Sequence, residues 1–414
     1  MIETTSFTLG NGLRVVHHAD TSTAKVAVDI LYNVGARDEN TRLTGMAHLF
    51  EHLMFGGSVN VADFDREVEL AGGWNNAWTS NDFTNFYTVV PGVNAETAFW
   101  VESDRMLRLA FSDKALEVQR QVVVEEFKQT TLNRPYGDVD SLMRSLLYTK
   151  HPYRWQTIGL STDHILAVTQ DDVRNFFYSH YAPNNAVLAV AGNITLERTR
   201  ELAEKWFGPI PRRDIAPRNY PQEPPVTSPR TLTVTRPVPA ALISVLYPMP
   251  GYSHPLFPAA DILTDIFANG ESSRFHRELI MKDTVFTEAD ASILGSEEPG
   301  YLLMGGMLVN GDTSTVDAAR QQLALQAQRI CDTPPEREEL ERALNKFESN
   351  FVRSTTNYLA KARKIAVAEM HGENINDTLL RYKTLSAGDI QLAAKEILDP
   401  SRACTLIYLP EEKA

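Results

Sequence analysis

The chain has 414 residues, of which 43% are hydrophobic and 22% are charged, a composition typical of a folded globular protein. Its formal net charge of −13 argues against nucleic-acid binding, because phosphate recognition needs a concentrated basic surface. Cys331 and Cys404 are the only cysteines, so we expect neither a disulfide framework nor a thiolate metal cluster.

The sequence contains no run of about 20 apolar residues, the length that a membrane-spanning helix needs. The first residues, from Met1 to Phe7, have neither the basic nor the apolar region of a secretory signal peptide. We therefore predict no membrane span and a cytoplasmic location, or a periplasmic location if a signal peptide has been removed.

Seven prolines lie between residues 209 and 229 and predict an extended linker, because proline resists both helix and sheet. Since the length also suggests two domains of about 200 residues each, we place a first half at 1–210, the linker at 211–229 and a second half at 230–414. Similar stretches recur in the same order in both halves: 29–32 with 244–247, 64–68 with 275–279, and 169–190 with 386–408.

Strand-like and helix-like patterns are mixed within each half. In chain order, they predict strands at 13–17 and 25–32, helices at 96–109 and 113–130, and further helices at 361–370 and 387–398. Ser112 or Asp113 is suited to cap the helix at 113–130. These patterns indicate an α+β fold with two homologous halves, each a mostly antiparallel sheet packed with helices.

The segment from Gly45 to Gly57 contains the pattern HxxEH at His48, Glu51 and His52. Residues four apart share one helix face, so both histidines can bind one metal ion and Glu51 can act on a water beside it. The intervening residues are apolar and predict a buried helix, in which polar groups without partners would be costly. Zinc would be such a partner. The alternative is a histidine pair at the surface or hydrogen-bonded within the core.

A hydrolytic zinc site usually has three protein ligands, so a third must come from elsewhere in the chain. The predicted helix at 119–127 offers Glu125 and Glu126, of which only one can point inward, because helical neighbours diverge by about 100°. Glu126 lies four residues after Val122 and three after Val123, so we expect Glu126 to face the core. The alternative is that both carboxylates are solvated charges.

Together, the run from His48 to His52 and the later run from Val123 to Glu126 resemble the pitrilysin/insulysin family, the inverzincins. The 73 residues between His52 and Glu126 give a spacing similar to that of the family. The segment 72–87 is also similar to the stretch that follows the metal-binding helix in the family. The resemblance extends over essentially the whole chain, including its internal repeat.

The resemblance implies that His48, His52 and Glu126 bind Zn²⁺ and that Glu51 is the general base. It also implies that a strand at Asn76, Ala77 and Trp78 pairs with the backbone of a peptide substrate; the alternative is an ordinary sheet edge. The implied fold has two α/β-roll halves that form half of a clamshell chamber. The implied activity is zinc-dependent endopeptidase cleavage of peptides or unfolded polypeptide segments.

The second half of the chain departs from the first at the metal positions, where it has Asp261, Thr264 and Asp265. We therefore expect no metal in that half. Ile280 and Phe286 stand where active relatives carry an arginine and a tyrosine that stabilise the substrate carbonyl. Gln119 stands where many relatives place a carboxylate behind a metal ligand, so an amide takes that position here.

These departures suggest that the chain is the metal-bearing subunit of a dimer. The dimer would be a homodimer, or a heterodimer with a related subunit that supplies the arginine and tyrosine. A second hypothesis is a non-catalytic scaffold or peptide-binding subunit of the same fold. A third is another kind of zinc-dependent hydrolase, because a fold by itself does not determine an activity.

Overall fold

The computed structural model describes residues 1–282 and 285–411. The helices are α1 Met46–Leu53, α2 Phe64–Leu70, α3 Ala95–Leu107, α4 Asp113–Phe127, α5 Val139–Leu147, α6 Thr162–Leu166, α7 Gln170–His180, α8 Leu196–Trp206, α9 Phe257–Ala268, α10 Thr313–Asp332, α11 Arg337–Ser354, α12 Tyr358–Met370, α13 Ile375–Lys383 and α14 Ala387–Ile397. The strands are β1 Thr5–Thr8, β2 Arg14–Ala19, β3 Lys25–Tyr32, β4 Trp74–Thr79, β5 Thr84–Pro91, β6 Ala186–Gly192, β7 Arg230–Arg236, β8 Leu242–Met249, β9 Phe286–Leu294, β10 Gly300–Leu308 and β11 Cys404–Pro410.

The chain divides into two compact units that do not follow its order. Unit 1 contains Met1–Gln129, Trp155–Tyr220 and Phe351–Leu379. Unit 2 contains the described residues of 130–154, 221–350 and 380–411. The predicted boundaries at 210 and 230 describe the repeat along the chain and remain a prediction. The units show a different division: the first half contributes 130–154 to unit 2, and the second half contributes 351–379 to unit 1.

Each unit is built on one sheet, and the two sheets repeat the same arrangement. In unit 1 the strand order is β1-β2-β6-β3-β5-β4, with β2 and β6 parallel and the other pairs antiparallel. In unit 2 the order is β7-β11-β8-β10-β9, with β7 and β11 as the parallel pair. The predicted α+β fold with mostly antiparallel sheets is confirmed, and β4 forms an edge of the unit 1 sheet.

Helices cover both faces of the unit 1 sheet, and the alternation of side chains along β3 decides which helix each residue meets. Val26 and Ile30 join the apolar cluster that includes residues of α1, α3 and α7. Ala27 and Leu31 point to the opposite face, where they pack with Ile365 of α12. The α1 side of this sheet therefore carries the predicted metal-binding helix, and the α12 side is covered by a helix from the second half of the sequence.

The unit 2 sheet is covered in the same manner. One face, which includes Ile243, packs with apolar residues of α9, α10 and α14. The opposite face, which includes Leu246 and Leu406, packs with Met143 and Leu147 of α5. Since α5 comes from the first half of the sequence and α12 from the second, the two halves exchange the helices that cover one face of each sheet.

Local chemistry explains how well the predicted element boundaries agree with the structure. The strands predicted at 13–17 and 25–32 correspond to β2 and β3. The helix α4 begins at Asp113, as predicted, where the Ser112 hydroxyl accepts a hydrogen bond from the Ala115 N–H. It ends at Phe127 because the chain widens into a π-helical turn at Lys128–Leu132. None of the helices in residues 1–282 and 285–411 is long and apolar enough to cross a membrane.

Candidate metal centre

The helix α1 starts at a backbone position that favours glycine. Gly45 precedes it with a φ of 89°, and a Cβ at this position would lie 2.8 Å from the carbonyl oxygen of Ile158. The buried carboxyl group of Glu39 accepts hydrogen bonds from the N–H groups of Gly45 and Ala47, at 2.9 and 2.8 Å. These contacts satisfy donors that no helical carbonyl can reach, and they fix where the helix begins.

The apolar side of α1 is buried in the unit 1 core through Leu49, Phe50 and Leu53. The ring of Phe50 stacks on the ring of Tyr181, with 4.4 Å between their centroids. Because the core holds this side of the helix, the three chemically active side chains of the HxxEH motif lie together on the other side, where each is partly buried.

The two histidines and Glu126 converge on one point. The Nε2 atom of His48 and the Nε2 atom of His52 each lie 3.7 Å from Oε2 of Glu126. Candidate ligand atoms of the three residues all lie within 4.8 Å of one another. Zinc bonds of about 2.0–2.2 Å at tetrahedral angles would separate neighbouring donor atoms by about 3.4 Å, so this donor set fits Zn²⁺.

The surroundings keep His48 in the form that binds metals. Burial, with a smaller effect from the charge of His52, lowers the pKa of His48 to about 4. Its imidazole is therefore neutral at neutral pH, as metal binding requires. His48 Nδ1 is buried without a hydrogen-bond partner among the described residues. His52 Nδ1 lies 3.3 Å from Oε1 of Gln119, a contact that can orient the ring.

Glu126 reaches this point because α4 buries Val123, Val124 and Phe127. The expectation that Val122 lies on the inward face is wrong, since Val122 is 43% exposed. Of the three consecutive valines, Val123 and Val124 face the core. Glu126 follows Val123 by three residues and therefore lies on the same side of the helix. The neighbouring Glu125 is exposed and pairs with Lys128 at 2.6 Å, which leaves Glu126 as the inward carboxylate.

Glu51 is held at the same side of α1 by the last residue of β4. The Thr79 hydroxyl donates a hydrogen bond to Oε2 of Glu51 at 2.5 Å. Burial raises the pKa of Glu51, and the Thr79 hydrogen bond opposes that rise. A carboxylate with a raised pKa is a stronger base than an ordinary surface glutamate.

The predicted substrate-binding residues Asn76, Ala77 and Trp78 lie in β4, one to three residues before Thr79. Their strand pairs with β5 on one side only, through registers that place Asn76 opposite Tyr87 and Trp78 opposite Asn85. Within the described chain, the other side of β4 has no strand partner. An unpaired strand edge therefore leads directly to the residue that holds Glu51.

The corresponding positions of the second half show no such convergence. Asp261 accepts a hydrogen bond from the Tyr382 hydroxyl at 2.8 Å, and Thr264 donates to the Asp261 carbonyl. In the described part of the chain, His48, His52 and Glu126 are the one group with the geometry of three metal ligands. Ile280 and Phe286 pack in the apolar cluster of unit 2, where they offer no hydrogen-bond donor from their side chains.

Two contributors to the centre were not recognised from the sequence. Glu39 caps the histidine helix from seven residues before it, and a capping residue at that distance follows no local rule. Thr79 lies within the segment that resembles the family, but a hydroxyl in a strand gives no signal of its partner. The hydrogen bond to Glu51 depends on the packing of β4 against α1, which the sequence does not show.

Comparisons with known proteins cover both halves of the chain. Residues 14–153 match the family described as insulinase, peptidase family M16, and residues 167–347 match the family described as the peptidase M16 inactive domain. A zinc protease named PqqE from Helicobacter pylori is 26% identical over 98% of this chain and 92% of that protein. A probable mitochondrial-processing peptidase subunit beta from Arabidopsis thaliana is 28% identical over 50% of this chain and 39% of that protein.

The fold is also found in a solved structure. The crystal structure of a protease from Helicobacter pylori superimposes with a TM-score of 0.92 at 26% identity, over 99% of this chain and all of that chain. The stretch 167–347, which matches the inactive-domain description, contains none of the three candidate ligands His48, His52 and Glu126. The resemblance predicted from the histidine motif is confirmed: the chain belongs to peptidase family M16, the insulinase or pitrilysin family.

Proposed function

We propose that this protein is a zinc-dependent endopeptidase that hydrolyses peptides or unfolded polypeptide segments. The observation that carries the proposal is the convergence of His48, His52 and Glu126 on one point, with Glu51 beside them on the same helix. The zinc proteases among the family relatives support the same class of chemistry.

His48, His52 and Glu126 would hold the zinc ion through two imidazole nitrogens and one carboxylate oxygen. When bound, zinc would lower the pKa of a coordinated water and polarise the substrate carbonyl. Gln119 would keep the ring of His52 in its binding orientation through the contact at Nδ1. Glu39 would keep both histidines in place by fixing the start of their helix.

Glu51 would take the proton of the attacking water and return it to the nitrogen of the departing amine. The Thr79 hydroxyl occupies Oε2 of the carboxylate, so Oε1 is the oxygen that we assign to the proton transfer. The burial that raises the pKa of Glu51 also makes its carboxylate a better proton acceptor near neutral pH.

The edge of β4 would bind the substrate by strand addition. A peptide in extended conformation can pair with the outward-facing backbone groups of β4 in the stretch of Asn76, Ala77 and Trp78 and so lengthen the sheet by one strand. It would replace the hydrogen bond that the Ala77 N–H donates to the Asn76 side chain. Such pairing recognises the main chain and needs a segment without structure of its own. We therefore assign peptides and unfolded segments, rather than folded domains, as substrates.

We further propose that the chain is the metal-bearing subunit of a dimer, either with a second copy or with a related chain. Ile280 and Phe286 cannot donate hydrogen bonds from their side chains to a developing oxyanion. A partner that supplies an arginine and a tyrosine would complete the site. The same two residues favour the second candidate function, a non-catalytic subunit that binds peptides.

Exchanging Glu51 for glutamine separates the two candidates. In the endopeptidase, Glu51→Gln keeps the zinc ligands but removes the base, so hydrolysis of a quenched fluorescent peptide should fall at least about 100-fold while zinc content stays unchanged. His48→Ala is the matched control and should lose zinc as well as activity. Glu51→Gln with full hydrolytic activity would contradict the assigned base. A zinc-loaded wild-type protein that binds peptides but does not cleave them, either alone or together with a related chain that supplies the arginine and tyrosine, would support the non-catalytic candidate.

A further inference from the structure

On the α12 side of the unit 1 sheet, opposite the metal centre, an arginine lies beside the edge strand. Arg363 of α12 extends across the sheet, and its guanidinium carbon lies 5.4 Å from the ring centre of Trp78 and 5.4 Å from that of Tyr87. Trp78 is in β4 and Tyr87 is in β5, so the positive charge sits above the last two strands of the sheet. Arg363 is half-buried.

Among the described residues, Arg363 forms no ion pair, and its guanidinium contacts the rings of Trp78 and Tyr87 instead. Asp29, on β3 opposite Tyr87, is fully buried and accepts a hydrogen bond from Asn85 through Oδ2. Burial raises the pKa of Asp29 to about 8, so this group is largely protonated at neutral pH and gives Arg363 little compensating charge.

The polar atoms around Arg363 are also incompletely paired. Oδ1 of Asp29, Oδ1 of Asn85 and Nε1 of Trp78 are each buried without a hydrogen-bond partner among the described residues. Such atoms are uncommon in folded proteins and call for an explanation. The proton that Asp29 retains can pair its Oδ1 with Asn85 Oδ1, so the Trp78 N–H remains as a buried donor without an acceptor, which a carboxylate could supply.

The geometry of strand addition determines which side chains would meet the cluster. Neighbouring strands lie about 4.8 Å apart, and successive side chains point to opposite faces of the sheet. A peptide paired with β4 would therefore place every second side chain on the α12 side, next to the row of Trp78 and Asn85. A glutamate there is long enough to bring its carboxylate to the Arg363 guanidinium.

We propose that Arg363, Trp78 and Tyr87 form a subsite for an acidic side chain of the peptide substrate. The inference rests on the proposed endopeptidase function and adds a substrate preference to it. The two rings hold the guanidinium in place without neutralising it, and a carboxylate can bind it through paired hydrogen bonds. Thr79, next to Trp78, contacts Glu51, so the acidic residue lies within two positions of the cleaved bond.

A peptide series tests the subsite directly. One peptide that the zinc-loaded protein cleaves would be varied to glutamate, glutamine or lysine at each of the three positions on either side of the bond. At one position, the wild type should cleave the glutamate peptide with a kcat/KM about tenfold above that of the glutamine peptide. The lysine peptide should be the poorest substrate at that position.

Charge reversal distinguishes recognition from a structural role. Arg363→Glu should invert the order, so that lysine becomes the best residue at the same position, whereas general damage would slow all peptides equally. Lys364→Gln is the control, because this neighbouring cation of α12 lies over the ring of Phe351 instead. It should keep the wild-type order.

An equal rate for all peptides in the wild type, or an unchanged order in Arg363→Glu, would overturn the subsite while leaving the endopeptidase proposal intact. If no peptide were cleaved by the zinc-loaded protein, either alone or together with a related chain that supplies the arginine and tyrosine, the endopeptidase proposal would fail instead. The subsite would then be judged from peptide binding to Glu51→Gln, measured by fluorescence anisotropy. Tighter binding of the glutamate peptide than of the lysine peptide would support the subsite, and equal binding would refute it.

Discussion

Hydrogen bonds from neighbouring side chains position the reactive groups of the candidate centre. Thr79 holds one oxygen of Glu51, and Gln119 contacts the nitrogen of His52 that faces away from Glu126. Such neighbours restrict the orientation of a ligand or base, and their loss typically costs a metal site 10- to 100-fold in affinity or activity. At the scale of single residues, these contacts determine how the motif would work.

Thr79→Val tests this positioning effect on the base. Valine keeps the shape of threonine but removes the hydroxyl that donates to Glu51, so the carboxylate would lose its fixed orientation. We expect kcat to fall about 10- to 100-fold, with KM and zinc content little changed. Thr79→Ser restores the hydroxyl and should recover most of kcat. Equal kcat values for the valine variant and the wild type would show that Glu51 does not depend on this contact.

Asp29→Asn tests the effect of a buried carboxyl group on stability. Its pKa of about 8 in the folded state exceeds the usual 3.8, so the folded state retains a proton that the unfolded chain releases. This group's contribution to stability is therefore complete below about pH 4 and is lost as the pH rises to about 8. Asparagine is neutral throughout, so the stability of the variant relative to the wild type should rise by about 3 kcal/mol from pH 5.5 to pH 8.

The measurement is the free energy of unfolding in urea at both pH values. Asp20→Asn is the control, because the hydrogen bond from Lys361 is the main cause that lowers the pKa of Asp20 to about 2. Asp20 is ionised at both pH values, so its replacement should cost the same stability at pH 5.5 and pH 8. A difference between Asp29→Asn and the wild type that does not change with pH would contradict the buried, protonated state of Asp29.

The sequence predicted the residues that converge at the centre better than it predicted their surroundings. His48, Glu51 and His52 are related by helical spacing alone, so a local rule was sufficient to group them. Glu126 required the inward direction of α4, and the valine run misled that argument at Val122, which is exposed. Thr79 required the position of a strand relative to a helix, which depends on contacts distant in sequence.

At the scale of elements, the unit 1 core fixes the relation between α1, α4 and β4. The helix α1 is held at its start by Glu39 and along one side by Phe50, while α4 is held by Val123 and Phe127. Strands and helices with clear periodicity were predicted well, because their patterns reflect which side is buried. The end of α4 was predicted less well, because the π-helical turn at Lys128–Leu132 has no simple sequence signal.

At the scale of the whole molecule, the exchanged segments link the folding of the two units. Sheet residues of unit 1 such as Ala27, Leu31 and Val187 are buried partly by α12, which comes from the second half of the sequence. The repeat and the proline-rich linker were visible in the sequence. The exchange of α5 and α12 was not visible, because the amphipathic pattern of a helix does not indicate which sheet the helix covers.

Separate expression of residues 1–220 and 221–414 tests this interdependence. Each fragment lacks a helix that covers its main sheet and carries one that belongs to the other unit. We expect each fragment alone to aggregate or to unfold at low urea concentration, because its sheet would expose a large apolar face. Co-expression should give a soluble complex of the two, detected by size-exclusion chromatography. Two fragments that each fold stably alone would contradict the expectation.

The exchange of α5 and α12 also bears on how a chain of this design can arise. A half-length chain with one sheet and one such helix could not cover its own sheet in this arrangement. Two copies that traded helices would form a domain-swapped dimer, in which each copy completes the other. Joining the copies through 211–229 would turn that trade into an intramolecular one. After gene duplication and fusion, one copy could lose its metal ligands while its helix remained indispensable to the copy that kept them.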